Sequence, residues 1–171
     1  MLIKFGKIMI IAAVAAFMAT SCLDVDDEEE VYTAAEEIHL REAYIDSMFA
    51  RGHDVDTTEL GVYYITVEPG EGDFAKAGDT LTVGYAGYFI DGRLFDASEI
   101  SSPTGKMTFS LEEDEIMPGP GWDDAMKVMN KNAIVQFIIP SELAYGDEWY
   151  GSIPPYQTLI YVVKLFEIQP S

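Results

Sequence analysis

Between residues 80 and 95 the chain switches towards a two-residue hydropathy period, passes through Asp91-Gly92 and resumes at Leu94-Phe95. A period of two is the mark of a strand with one buried face. Asp-Gly between two such runs predicts a tight hairpin, with positive φ expected at both central positions. Such a hairpin commits the chain to antiparallel pairing, and further runs of the same kind supply its partners. They lie at residues 62–67, closed by Pro69-Gly70, and at 106–111, 133–139 and 157–168. One segment breaks the pattern: residues 122–130 read as a short helix with Ala125, Met126 and Met129 on a narrow apolar face. Asp123 and Asp124 fall in its first turn, where the helix dipole favours negative charge. Several antiparallel strands with a single short helix make an α+β fold. No internal repeat is present.

Composition narrows the function. Apolar residues make up 49% of 171 and aromatics 12%, enough for a core of one ordinary domain with appendages. Ten basic residues stand against 30 acidic ones, a net charge of −20, and the basic residues do not cluster. Nucleic-acid binding needs a basic face and is excluded. A charge so far from zero favours solubility and a monomer or weak dimer. His39 and His53 lack the neighbours of a zinc site, so neither a metal nor a cofactor is expected.

The first residues read as a targeting segment. Lys4 and Lys7 precede an apolar run over residues 8–18, and the small residues Ala19, Thr20 and Ser21 lead to Cys22. A basic start, a short apolar stretch and a small-residue site form a signal peptide, here residues 1–21. The run is short for a bilayer span, which takes about 20 residues. Cys22 is the only cysteine, so no internal disulfide can form. Its setting resembles a bacterial lipobox, in which the cysteine is lipidated and anchors the chain in the membrane; more than one acyl chain is needed for a stable anchor. Ala19 stands where leucine is common, and Ala19 with Ser21 also suits ordinary signal peptidase, which would leave a soluble secreted product. The lipoprotein reading places the protein in the bacterial cell envelope, lipid-anchored at the outer membrane on its periplasmic or surface face. Residues 22–31 carry a dense acidic run that reads as an extended linker; it also resembles the surface-export signal of Bacteroidota lipoproteins.

Residues 32–52 read as an amphipathic helix. Thr33 is a fitting N-cap with Glu36 completing a capping box, and Gly52 is placed to end the helix. Ile38, Tyr44, Ile45 and Phe49, with Ala34, Ala35 and Met48, form the expected apolar stripe. A lone helix of this length is marginal in water, so it must pack on the domain, a second copy or another protein.

Over residues 59–169 the chain carries a collinear set of short motifs. They are Gly61-Val62, Val83-Gly84-Tyr85-Ala86-Gly87, Asp91-Gly92, Phe95-Asp96-Ala97-Ser98, Phe109, a Pro-Gly stretch ending in Trp122, Ala144-Tyr145-Gly146, Ile153-Pro154-Pro155 and Thr158-Leu159-Ile160-Tyr161. Each alone is weak, and each aromatic taken singly reads as core. Together they resemble the FK506-binding protein (FKBP) family of peptidyl-prolyl cis-trans isomerases. The resemblance implies an antiparallel curved sheet wrapped around one short α-helix, here preceded by the N-terminal helix. It also implies an apolar hollow that takes proline-containing polypeptides and FK506-like macrolides, without a cofactor. By the same resemblance Tyr85, Phe95, Phe109, Ile153 and Tyr161 line the hollow, Ile116 or Met117 supplies an aliphatic edge, and Trp122 forms the floor. Asp96, Tyr145 and Trp122 are the expected catalytic set. Tyr145 would donate a hydrogen bond to a substrate carbonyl, while Asp96 would either order the wall through Tyr85 or orient a polarised carbonyl. A non-catalytic binding module or chaperone for proline-containing segments is the competing reading. Four departures stand out: an extra Pro-Gly unit in Pro118-Gly119-Pro120-Gly121, Met107 in place of an aromatic, Ser152 in place of an aliphatic residue, and a loop bearing Trp149 and Tyr150 that would cover the hollow or offer an extra contact.

Overall fold

The computed structural model describes residues 32–117 and 119–171. The signal segment, Cys22, the acidic linker and Pro118 lie outside the described residues. In chain order the elements are α1 (Ala34–Ala50), β1 (Asp56–Thr57), β2 (Tyr63–Glu68), β3 (Glu71–Phe74), β4 (Thr80–Phe89), β5 (Leu94–Ala97), α2 (Ser98–Ser101), β6 (Met107–Ser110), α3 (Gly121–Met126), β7 (Asn130–Lys131), β8 (Ile134–Ile139), a 3-10 turn (Ser141–Leu143) and β9 (Leu159–Gln169). Seven strands form one antiparallel sheet in the order β1-β2-β8-β9-β4-β5, with β6 also paired to β4. The short strands β3 and β7 form a separate ribbon. The five long runs read from the sequence are all strands, whereas β1, β3, β7, α2 and the 3-10 turn carry too few residues for a period to register.

Alternation along the strands sorts the side chains onto two faces. Leu81, Val83 and Phe89 of β4, Phe137 of β8 and Val163 of β9 are buried on the inner face, against α3. Within α3, Trp122, Ala125 and Met126 are buried, and Met129 just beyond it is too. The helix ends at Met126, earlier than residue 130, because its last carbonyls turn inward: Val128 N–H donates to Ala125 O and Met129 N–H to Met126 O. Asn130 then enters β7. Breaks of register at Thr66/Glu68, Thr82/Val83 and Gly87/Tyr88 bend the strands around the helix. Asp124, itself buried, accepts hydrogen bonds from Thr58 Oγ1 and Leu60 N–H, fastening the chain before β2 to α3.

The β4–β5 hairpin departs from the expected turn. Positive φ occurs at Gly92 (90°) and not at Asp91. Phe89 O accepts from Gly92 N–H at 2.9 Å and Phe89 N–H donates to Arg93 O at 2.9 Å. This is a three-residue loop with glycine at its left-handed position, the next commonest hairpin after the two-residue turn. Asp91 supports it by accepting from Arg93 N–H at 2.8 Å.

α1 starts as expected: Thr33 Oγ1 accepts from Glu36 N–H, and the Glu36 carboxylate accepts from Thr33 N–H at 2.8 Å. It lies on the outer face of the sheet, where Ile45 packs on Ile138 and Ile160. Those two are cross-strand partners, flanked in the same row by Tyr63 and Tyr88. The contact stripe differs from the one read in the sequence. Ile38 and Phe49 are exposed, at 45% and 54%, while Glu37, Ile45 and Met48 are buried. The true stripe is Glu37, Arg41, Ile45 and Met48, spaced four, four and three. Tyr44, Ile45 and Met48 of the expected stripe do pack inward, but an ion pair, Arg41 to Glu37 at 3.6 Å, extends the buried face where hydropathy gave no signal.

Because Met126 is fully buried, Met126→Ala is expected to lower unfolding free energy by about 2–5 kcal/mol, measured by urea denaturation at neutral pH.

Candidate functional site

At the mouth between α3 and the inner face of β4 and β9, five aromatic rings meet. Trp122 opens α3 and is 2% exposed. Its ring meets Tyr161 edge-on at 5.2 Å between centroids, Tyr85 edge-on at 5.8 Å and Phe109 at 6.1 Å. Phe95 closes the other flank, edge-on to Tyr161 at 5.6 Å and tilted against Phe89 at 5.0 Å. Edge-to-face pairs of this kind hold rings at fixed angles better than aliphatic contact does. Gly87 makes the approach possible. A Cβ there would sit 2.7 Å from Phe95 Cζ and 2.9 Å from Tyr161 Cε1, so any side chain would push the two rings apart.

Polar groups rim this hollow. Tyr85 O–H donates to Asp96 Oδ2 at 2.7 Å. The other carboxylate oxygen, Oδ1, accepts from Ala97 N–H at 2.7 Å and from Ser101 Oγ at 2.5 Å. Of the two roles expected for Asp96, ordering the Tyr85 wall is the one the geometry displays. Ser101 was not foreseen, since no spacing rule links it to a carboxylate five residues earlier. Behind the same wall, Ser98 Oγ accepts from Tyr85 N–H at 3.0 Å and donates to Gly105 O at 2.9 Å.

Tyr145 follows the 3-10 turn and packs against the aromatic cluster. The Tyr145 and Tyr161 hydroxyls interact with one another at the rim. Burial is the main cause raising both phenols above the ordinary tyrosine value. Tyr85 is raised by burial and then by its hydrogen bond to the Asp96 carboxylate. All three remain neutral donors at physiological pH. Tyr150, half-exposed, stacks on Tyr145 at 4.5 Å and 25°. It is held by paired backbone bonds with Ile153, Tyr150 N–H to Ile153 O at 3.0 Å and Ile153 N–H to Tyr150 O at 2.9 Å. Trp149 is half-exposed beside it.

Every residue expected to line the hollow falls in one cluster. Phe109, Met117, Trp122, Ile153 and Tyr161 are buried members, and Tyr85, Phe95, Ile116 and Tyr145 pack against them. Met107 packs there too, while Ser152 is exposed. Gly119 and Gly121 seat against the stem of the Tyr145 loop. A Cβ on Gly119 would lie 2.3 Å from the Leu143 carbonyl, and one on Gly121 would lie 2.6 Å from the Leu143 oxygen and from Ile139 Cγ2. Among the described residues no group of three or more His, Cys, Asp or Glu side chains is placed to hold a metal ion. Likewise, no helix among them is long and apolar enough to cross a membrane.

The family model described as FKBP-type peptidyl-prolyl cis-trans isomerase matches residues 71–166. This chain belongs to that family. It is 37% identical over 123 residues to FkpA, an FKBP-type isomerase of Escherichia coli K12, covering 72% of this chain and 43% of FkpA. It is 34% identical over 120 residues to the FKBP-type 22 kDa isomerase of the same organism, covering 70% and 55% of the two chains. The crystal structure of Escherichia coli FkpA superposes with a TM-score of 0.67 at 35% identity, over 80% of this chain and 61% of that one. A Pseudomonas syringae isomerase structure, at 24% identity and a TM-score of 0.66 over 82% and 98%, shares the fold. The chain thus spans about half the length of the curated relatives it matches.

The raised phenols have a consequence for stability. A phenol that holds its proton more tightly when folded stabilises the fold fully below its unfolded pKa, about 10, and that contribution is lost as pH rises above it. Unfolding free energy is therefore expected to fall between pH 9 and pH 11, and to fall less steeply in Tyr161→Phe, as followed by urea titrations across that range.

Proposed function

We propose that the protein is a peptidyl-prolyl cis-trans isomerase acting on X–Pro bonds of exported proteins. The observation that carries the reading is the ring enclosure over Trp122, with the Tyr145 phenol packed against the same cluster.

Rotation about a peptide bond is opposed by about 18–20 kcal/mol of lost resonance. X–Pro isomers differ by only about 1 kcal/mol yet exchange over tens to hundreds of seconds. A catalyst therefore needs no nucleophile; it must bind the twisted amide better than either planar form. The planar amide is the more polar state, so transfer into a dry aromatic slot penalises it relative to the twisted one. In this reading Trp122, Phe109, Phe95 and Tyr161 receive the proline ring, with Ile153 and the Ile116–Met117 edge completing the slot. Tyr145 O–H donates to a substrate carbonyl and anchors the chain on one side of the rotating bond. Asp96 acts as an orienting group, with both oxygens occupied, and no proton changes hands. An FK506-like macrolide would compete for the same slot.

The remaining organisation follows the sequence reading: residues 1–21 as signal peptide, 22–31 as linker from a lipidated Cys22, and 59–169 as the isomerase domain. The helix of residues 32–52 spends its contact stripe on β8 and β9, which favours a monomer or weak dimer. The anchor places the domain at the outer membrane. Cys22→Ser is expected to move the protein from the membrane fraction to the soluble one, read by fractionation; retention on the membrane would sink the anchor.

Catalysis is tested by following cis-to-trans exchange of an X–Pro peptide with the full chain. Clear acceleration is expected, with kcat/KM lowered about five- to tenfold in Tyr145→Phe, the worth of one hydrogen bond. A folded chain that accelerates nothing would make it a binding module with an isomerase fold.

A further inference from the structure

Glu37 is the most deeply buried acid of α1, 3% exposed, yet its carboxylate reaches across the outer face of the sheet to a loop far away in sequence. Oε1 accepts from Ser141 N–H at 2.7 Å and from Thr158 Oγ1 at 2.8 Å, and Oε2 accepts from Ser141 Oγ at 2.5 Å. Arg41, one turn on, lies 3.6 Å from Glu37 Oε1 and 3.6 Å from Glu142. Ser141 and Thr158 are themselves buried, and they stand at the two stems of the long connection between β8 and β9. A single side chain therefore ties both ends of residues 140–158 together.

That connection carries Tyr145, Tyr150 and Ile153. The tie continues along its backbone. Ser141 O accepts from Gly146 N–H at 2.8 Å, directly after Tyr145, and Gly146 O accepts from Tyr156 N–H at 2.9 Å. A buried carboxylate costs several kcal/mol of desolvation unless its oxygens are matched, and an apolar residue at this position would pack on the sheet without that cost. Here the matched donors are the loop stems, so the carboxylate acts on the placement of the loop.

We propose that Glu37 is a positioning residue: from α1 it clamps Ser141 and Thr158 and thereby holds Tyr145 over the hollow. The catalytic part of this role rests on the isomerase reading. The N-terminal helix is on this account part of the support of the site, and its effect on the reaction runs through Tyr145.

The test uses Glu37→Gln in the full chain. It keeps the shape of the side chain but leaves one acceptor oxygen where three donors converge, and turns an N–H2 group towards one of them. Two readings are taken on folded protein. In amide hydrogen exchange, residues 144–156 should exchange at least about tenfold faster in the variant, with β8 and β9 unchanged, as expected for a loop that opens without the sheet. In the peptide assay, kcat/KM should fall about fivefold or more, roughly the loss of one well-placed hydrogen bond, and the fall should vanish when Glu37→Gln is made in a Tyr145→Phe background. Ile45→Ala, which thins the packing of α1 two turns away, should lower Tm while leaving kcat/KM within about twofold. Unchanged exchange in residues 144–156 overturns the clamp. So does an activity loss that persists in the Tyr145→Phe background, or an equal loss in Ile45→Ala. If the parent chain accelerates nothing, the isomerase reading fails instead, and the exchange measurement still decides the clamp.

Discussion

The contact between Trp122 and the inner face of the sheet is the constraint on which the other features depend. A helix of six residues has no stability of its own in water. It exists here because Trp122, Ala125 and Met126 are enclosed by β4, β8 and β9 and because Asp124 holds the chain before β2 against it. The enclosure orients the indole, and the indole in turn sets the angles of Tyr161, Tyr85 and Phe109. Gly87 permits the remaining contact by leaving room for Phe95 and Tyr161 to close over it. Core and candidate site are thus one aromatic cluster, buried at one end and open at the other.

The rim around that cluster is built from neutral donors and a fully engaged carboxylate. Burial raises the phenols of Tyr85, Tyr145 and Tyr161, so they stay protonated where the protein works. The Asp96 carboxylate is committed to Tyr85, Ala97 and Ser101. Such a site is suited to holding a peptide and excluding water from it, and poorly suited to moving protons. This agrees with a reaction whose barrier is lost resonance. On the opposite face of the sheet α1 contributes no ring to the hollow, yet its buried Glu37 reaches the stems of the loop that carries Tyr145. The two faces are coupled through that loop.

Much of the architecture is legible in the sequence. The long strands, the single buried helix and the capping box at Thr33 and Glu36 follow from local period and local chemistry, which neighbouring residues determine by themselves. The clustering of these aromatic residues is legible by a different route: singly they read as core, and the collinear motif pattern groups them as a set. The errors were equally local in origin. Asp91-Gly92 promised a two-residue turn, and the register of β4 against β5 selected a three-residue one with only Gly92 at positive φ. Hydropathy chose Ile38 and Phe49 for the inner side of α1, because it cannot value a glutamate and an arginine that find partners only after folding.

Sequence alone therefore determined the strand pattern, the α+β class, the family and the set of aromatic residues available to a hollow, since each depends on short-range order along the chain. Tertiary structure decided which face α1 buries, which oxygens of Asp96 are occupied, and that Glu37 meets residues 104 and 121 positions away. Those contacts join segments distant in sequence. Their energies depend on the desolvation and geometry created when the segments meet, and no local pattern of residues encodes them.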